Sequence, residues 1–324
     1  MPGRVMTDRL MVAGNFSIDE TISPDGAMST APGGDALYSA LGAAIWRCPV
    51  GILSRVGPDY PAQLWDQLRN WGVDVSGLVM AGEETVRYRI HNRPDGSRVY
   101  THLNSPALLA TMSPRGSELD QVAGAAWLHV AAMPIEQQAE AVVAARRHGV
   151  GYSLDPHEEY IAGHEEQIHA MARGAMLMPS LLELDRLLPD LAGLPDLARA
   201  ARGSAVLLAH GAQTVVVKCG ADGSFIRTAG LARHVPAQRL DHVVDTTGAG
   251  DAYAGGFLAG YLSSTRLTWG AVCGSLSAAH IIQGFGALHS PLPAEQELRE
   301  QANQLAARIP GSPAALPAAE PPRR

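Results

Sequence analysis

The chain has 324 residues, 46% of them hydrophobic, and its 25 basic and 32 acidic side chains leave a formal charge of -7. This length supports one large domain, or a large one with a small companion, and a sizeable core. An acidic balance without a basic stripe argues against a nucleic-acid partner. The absence of an apolar run of about 18 residues argues against a membrane partner. Three cysteines, Cys48, Cys219 and Cys273, have neither metal-knuckle spacing nor the even count of a disulfide framework, so a reducing, cytoplasmic setting is expected. The single lysine, Lys218, ends an apolar run, which makes Schiff-base chemistry a poor reading.

Taken in chain order, short apolar runs alternate with amphipathic stretches. Leu10–Ala13 reads as a buried strand, and Phe16 to Ile22 alternates like a half-buried one. Val50–Leu53 follows as another buried run. Thr85–His91 and Ser97–Leu103 flank the turn residues Asn92-Arg93-Pro94-Asp95-Gly96 and predict a β-hairpin. Ala126–Val130, Gly151–Leu154, Ala175–Met178 and Thr214–Val217 are further buried strands, with helical composition over Ile135–His148. Val243-Val244 reads as a strand end, and the pattern is helical from Ala249 through Ile282. The tail from Ile309, rich in Pro and Ala, is expected to be disordered.

This rhythm predicts an α/β fold: a doubly wound, largely parallel sheet with helices on both faces. The segments near 15–31 and 85–103 form a small β-sheet beside it. That sheet reads either as a lid over a site or as an edge through which two copies pair as a homodimer. Residues 1–308 form one domain and 309–324 the tail.

The strongest chemical motif is Asp245-Thr246-Thr247-Gly248-Ala249-Gly250-Asp251, set between an expected strand end and a helix. A helix N-terminus opened by glycines is an anion site, because backbone N–H groups point outward and the backbone approaches a phosphate closely. A carboxylate there would ordinarily repel the anion. Asp251 makes sense as a base that takes the proton of an attacking hydroxyl, while N–H groups hold charge on a transferring phosphoryl. The competing readings are a helix-capping acid and a dinucleotide loop. The latter lacks the G-x-G-x-x-G spacing and the acidic residue about 20 positions on.

These residues, with Gly255-Gly256 after them, resemble the C-terminal signature of the ribokinase-like, or pfkB, carbohydrate kinases. Ala31-Pro32-Gly33-Gly34-Asp35-Ala36-Leu37-Tyr38 resembles that family's di-glycine motif. Arg55-Val56-Gly57-Pro58-Asp59 and Trp71-Gly72-Val73-Asp74 resemble its V-G-x-D and G-V-D segments. The resemblance runs from about Leu10 to Pro291. It implies ATP-dependent phosphorylation of a hydroxyl on a small sugar or polyol, with a nucleoside kinase or a non-catalytic ligand-binding relative as alternatives.

Carried over residue by residue, the resemblance makes Asp251 the base and Gly248, Ala249 and Gly250 the anion hole. Asn15, Asp19, Gly33, Gly34 and Tyr38 fall on the acceptor side. Tyr38 stands where members commonly carry a sugar-binding asparagine, so it either stacks on a ring or packs, and in the nucleoside-kinase alternative Tyr38 or Phe16 stacks on the base. Lys218, Gly220 and Gly223 fall on the nucleotide side, as a turn after a strand that otherwise reads as a plain hairpin. The family's Asn-x-x-Glu, which organises Mg²⁺ through water, appears as Ser180-Leu181-Leu182-Glu183. Asp245, Thr247 and Ser290, with Gly286, fall where some members hold a monovalent cation. His129, in an apolar run, reads as a core residue.

Overall fold

The computed structural model describes residues 9–23, 25–93 and 98–310. The tip of the expected hairpin, 94–97, and the tail from 311 lie outside the described residues, and with them the expectation of a disordered tail.

In chain order the strands are β1 (Leu10–Ala13), β2 (Ser17–Ile22), β3 (Met28–Gly33), β4 (Val50–Val56), β5 (Val73–Met80), β6 (Val86–Asn92) and β7 (Arg98–His102). They continue as β8 (Trp127–Val130), β9 (Gly151–Leu154), β10 (Met176–Leu177), β11 (Thr214–Lys218), β12 (Ser224–Arg227) and β13 (Ala232–Val235). The helices are α1 (Asp35–Ala44), α2 (Gln63–Asn70), α3 (Ala107–Thr111), α4 (Ile135–His148) and α5 (Glu165–Ala172). After these come α6 (Leu181–Leu187), α7 (Asp196–Ala209), α8 (Ala249–Ser264), α9 (Leu267–Ile281) and α10 (Glu295–Ala307).

Nine strands form the large sheet in the order β13-β12-β11-β10-β9-β8-β1-β4-β5, parallel from β11 to β5, with an antiparallel edge of β12 and β13. Strand pleating sends alternate side chains to opposite faces. In β1, Leu10 and Val12 enter the core under α1, α8 and α9, whereas Met11 and Ala13 enter the core under α4, α5 and α7. The doubly wound architecture therefore stands as expected. The chain moves outward from β1 to β4 and β5, then returns to β8 on the other side of β1. That reversal opens a crevice at the carboxyl ends of the strands, where ligands bind in such sheets.

The small sheet, ordered β3-β2-β6-β7, pairs β2 with β3 and β6 with β7 in antiparallel fashion, while β2 and β6 run parallel. It is tied to the body through the V-G-x-D segment. Asp59 accepts from the Thr85 N–H at 2.7 Å and its hydroxyl at 2.8 Å, and pairs with Arg87 at 2.6 Å.

Three local expectations change. Val243 and Val244 are not a strand end. They are exposed loop residues, because no neighbouring strand pairs with them; the Val244 N–H instead reaches the Ile282 carbonyl at 2.9 Å. Strands β5, β12 and β13 were not anticipated. The polar residues interleaved in Val73–Met80 and in Ala232–Val235 mask edge strands, which are buried on fewer sides. The helical stretch after Ala249 breaks at Thr265, a left-handed residue with φ 58°, into two helices packed against each other.

Close approach of α1 and α8 fixes the centre of the molecule. A Cβ on Gly255 would lie 1.8 Å from the Ser39 carbonyl oxygen, and one on Gly42 would lie 2.2 Å from the Ala252 carbonyl oxygen. Gly255→Ala should therefore destabilise the fold. The helix-propensity gain of about 1 kcal/mol is outweighed by an overpacking cost near the upper end of roughly 1–3 kcal/mol, since the obstacle is backbone. Urea unfolding should show a lower midpoint; a midpoint equal to or above wild type would mean that the helices can part without cost.

Candidate active site

Helix α8 begins at Gly248, whose φ of +73° suits glycine and whose missing side chain admits the Tyr38 ring, 2.2 Å from where a Cβ would sit. Ala252 donates to the Gly248 carbonyl at 2.9 Å, so the N–H groups before it precede the helical ladder. Of the three anion-hole positions, Ala249 turns its N–H back onto Thr246 at 3.2 Å. Gly250 follows at the second helical position, and Asp251 occupies the first turn. The turn itself is braced by Asp245, which accepts from the Thr247 N–H at 3.0 Å and its hydroxyl at 2.8 Å. The lid residue Asn92 also donates to Asp245, at 3.3 Å.

Lys218, at the end of β11, reaches into this region: its ammonium lies 3.5 Å from where a Gly250 Cβ would sit. It pairs with Asp155, the residue just after β9, at 2.5 Å. Burial alone would lower the lysine's pKa, but Asp155, Glu183 and Asp251 together hold it above its ordinary range and hence charged. Burial pushes Asp155 up to about 6 and Glu183 up to about 7, with Lys218 pulling both back. Gly220 and Gly223 lie in the hairpin joining β11 to antiparallel β12. Glu183 is not a solvated helix-face residue. Ser180 and Glu183 form a capping box, with the Ser180 N–H donating to the carboxylate at 2.6 Å and the Glu183 N–H to the hydroxyl at 3.2 Å. The S-x-x-E spacing carried that signal.

On the opposite side, Gly34 (φ +106°) admits the Asn15 carbonyl, and Gly33 admits the Asp19 carboxylate, whose Oδ2 lies 1.8 Å from where a Gly33 Cβ would be. Asp19 is not the exposed strand carboxylate that its alternation allowed. It is 7% exposed, and its Oδ1 has no hydrogen-bond partner. Burial pushes its carboxyl up to about 7. Asn15 spends its side chain on bracing, donating to the Leu109 carbonyl at 3.1 Å and accepting from the Ser113 hydroxyl at 3.1 Å. Tyr38 and Phe16 both pack in the core, Tyr38 beneath Gly248 and Phe16 edge-on to Tyr60 at 5.6 Å, so neither offers a face for stacking.

The sequence analysis overlooked Asp35, the first residue of α1, directly after the di-glycine. Burial first, then the charges of Asp251, Asp155 and Asp19, raise its pKa well above the ordinary range. It also overlooked Asp155; both sit at the glycine turn or strand end where functional groups gather, and that position was the available signal. Farther off, the Ser290 hydroxyl meets His280 at 3.1 Å, and His289 meets the Gly286 carbonyl at 3.0 Å. His129 is a buried core residue on Ser153 at 2.9 Å, held neutral by burial, which drops its pKa to about 3. Among the described residues no group of three or more His, Cys, Asp or Glu is placed to hold a metal ion, and no helix is long and apolar enough to cross a membrane.

Comparison with known proteins decides the family. A profile described as pfkB family carbohydrate kinase matches residues 3–295. The chain belongs to this family. It is 31% identical to a cytidine kinase of Thermococcus kodakarensis over 258 residues, which is 78% of this chain and 88% of the relative. It is 26% identical to an aminoimidazole riboside kinase of Salmonella typhimurium over 260 residues, 78% of this chain and 80% of that one. The fold superposes on a Burkholderia thailandensis nucleoside kinase in complex with inosine at TM-score 0.75 and 17% identity, covering 93% of this chain and 99% of that one. A Cryptococcus neoformans ribokinase in complex with ADP gives TM-score 0.73 and 22% identity, with coverage of 91% and 100%. As a pfkB kinase, the chain is an ATP-dependent phosphotransferase acting on a small sugar or nucleoside.

The raised Asp19 pKa makes a stability prediction for this kinase. The unfolded carboxyl releases its proton near 3.8 and the folded one near 7. Wild-type stability therefore falls as pH rises between these values, and the full cost is present above about pH 7. Asp19→Asn lacks this titration. Its stability relative to wild type should grow between pH 4 and 7 by an amount on the order of a few kcal/mol. Paired urea unfolding at pH 5 and pH 8 tests this; a difference independent of pH would overturn it.

Proposed function

We propose that this kinase transfers the γ-phosphoryl group of ATP to an acceptor hydroxyl, with Asp251 as the base. The observation that carries the reading is the Lys218 ammonium set 3.5 Å from the Gly250 Cβ position at the head of the Asp251 helix. Asp251 takes the hydroxyl proton as the oxygen attacks. The Gly250 N–H, the α8 N-terminus and Lys218 hold the charge that spreads over the phosphoryl oxygens in a loose transition state. Asp155 and Glu183 keep Lys218 charged and aimed. The hairpin at Gly220 and Gly223 forms the nucleotide side, and Asp19, Gly33 and Gly34 the acceptor side.

Magnesium bound with the triphosphate would add charge neutralisation. Glu183, whose Oε2 already accepts the Ser180 N–H, fits it through water rather than as a direct ligand. Asp245 is already engaged by Thr247 and Asn92, and Ser290 by His280. Any monovalent cation near them would be held through backbone carbonyls as well. An assay of ADP release across sugars, polyols and nucleosides tests the activity.

Asp251→Asn should keep the fold and nucleotide binding while lowering kcat by ~10²-fold or more, since shape is conserved and proton acceptance is lost. Near-normal turnover would remove Asp251 as the base. Lys218→Met, made together with Asp155→Asn so that the ion pair is removed as a unit, should lower kcat by at least ~10²-fold. It should also weaken a non-hydrolysable ATP analogue more than ADP in calorimetric titration. Equal weakening of both nucleotides would place Lys218 away from the transferred group.

A further inference from the structure

The acceptor side combines two features that the sequence did not associate with it. One is a floor of carboxyl groups. Asp19 presents a buried Oδ1 without a partner beside Gly33, and Asp35 opens α1 two residues later. The Ala36 N–H holds this turn to the Asn15 carbonyl at 3.2 Å, and the Asn15 amide in turn holds Leu109.

The other feature is a ring-lined wall over Leu109. Tyr88 from β6 and Tyr160 from the loop after Asp155 both pack on the small cluster of Val86, Leu109 and Met112, and both are only partly buried. Tyr88 packs at a tilt against His102, with ring centroids 4.6 Å apart, and Tyr160 likewise against His157 at 5.2 Å. His102 reaches Glu159 at 3.9 Å, joining lid to body. Asp19 and Tyr88 are register partners across the β2–β6 pair, so floor and wall adjoin; the charge of Asp35 also raises both tyrosine pKa values beyond what burial does.

Cations near this space are already committed. Lys218 pairs with Asp155, Arg87 with Asp59 at 2.6 Å and Arg89 with Glu20 at 2.6 Å, while Arg186 donates to the Glu158 carbonyl. A sugar bearing a phosphate or carboxylate would meet carboxyl groups here, while Lys218, Arg87 and Arg89 are already in ion pairs. Hydroxyls can donate to those same oxygens, and a planar heteroaromatic ring finds tyrosine and histidine rings beside them.

We infer that the acceptor is an uncharged nucleoside, its ribose hydroxyls held over Asp19 and Asp35 and its base against Tyr88 and Tyr160, with Asp35 as the residue that rejects anionic sugars. This rests on the kinase reading of the site, and equilibrium binding separates the two. Calorimetric titration and ADP-release kinetics with cytidine, inosine, ribose, fructose, ribose 1-phosphate and a 2-keto sugar acid form the test.

Nucleosides should bind and turn over with kcat/KM at least ~100-fold above either anionic sugar. Asp35→Asn should narrow that gap at least tenfold by raising use of the anionic sugars. Tyr88→Leu should raise the nucleoside KM about tenfold with the ATP KM unchanged, and Tyr88→Phe should restore it. Best binding by an anionic sugar overturns the inference, as does equal binding of ribose and nucleosides. Selective nucleoside binding without turnover would uphold it and overturn the kinase reading instead.

Discussion

The absence of side chains where α1 meets α8 is the constraint on which the site depends. Gly42 lies against Ala252 and Gly255 against Ser39, and Tyr38 near the start of α1 touches Gly248 at the start of α8. Because Tyr38 lies in the first turn of α1 and Gly248 is the residue that opens α8, the N-termini of the two helices lie together. Two glycine turns, Gly33-Gly34 and Gly248–Gly250, are thereby brought side by side. A single added methyl at Gly255 would wedge them apart, because protein interiors have no slack for it.

Charge is the second organising element. Asp19, Asp35, Asp155, Glu183 and Asp251 gather near the one lysine of the chain. Such a concentration of buried carboxyl groups would oppose folding if all were ionised, and burial instead raises several of their pKa values. Lys218 is the exception that stays charged, since three acids favour its ammonium form. Lys218 thus stays a cation beside the glycine-opened start of α8, where the proposed transfer would develop negative charge. The small sheet contributes through Asp59, which couples β6 to the strand β4 end, and through Asn92, which touches the Asp245 turn.

Several residues change meaning between sequence and structure. Glu183 keeps the carboxylate that the resemblance assigned to metal organisation, yet its first partner is the Ser180 N–H of its own helix. Tyr38 and Phe16 had the right chemistry for stacking but are enclosed by Gly248 and Tyr60. Tyr88 and Tyr160, 72 positions apart, carry no common pattern in the sequence and meet only because β6 and the loop after β9 pack over Leu109.

The sequence by itself determined the alternating α/β pattern, the glycine-opened helix before Asp251, the small sheet and the family. Each of these is written in local periodicity or in contiguous motifs, which short-range physics makes legible. Tertiary structure alone decided that Lys218 faces Gly250 rather than solvent, that Asp155 holds it, that Asp35 joins Asp19 and Asp251, and that Val243-Val244 pairs with no strand. Those outcomes depend on which elements become neighbours across the sheet. Burial and proximity among residues tens to hundreds of positions apart set the charges of the site, and no local window of sequence contains them.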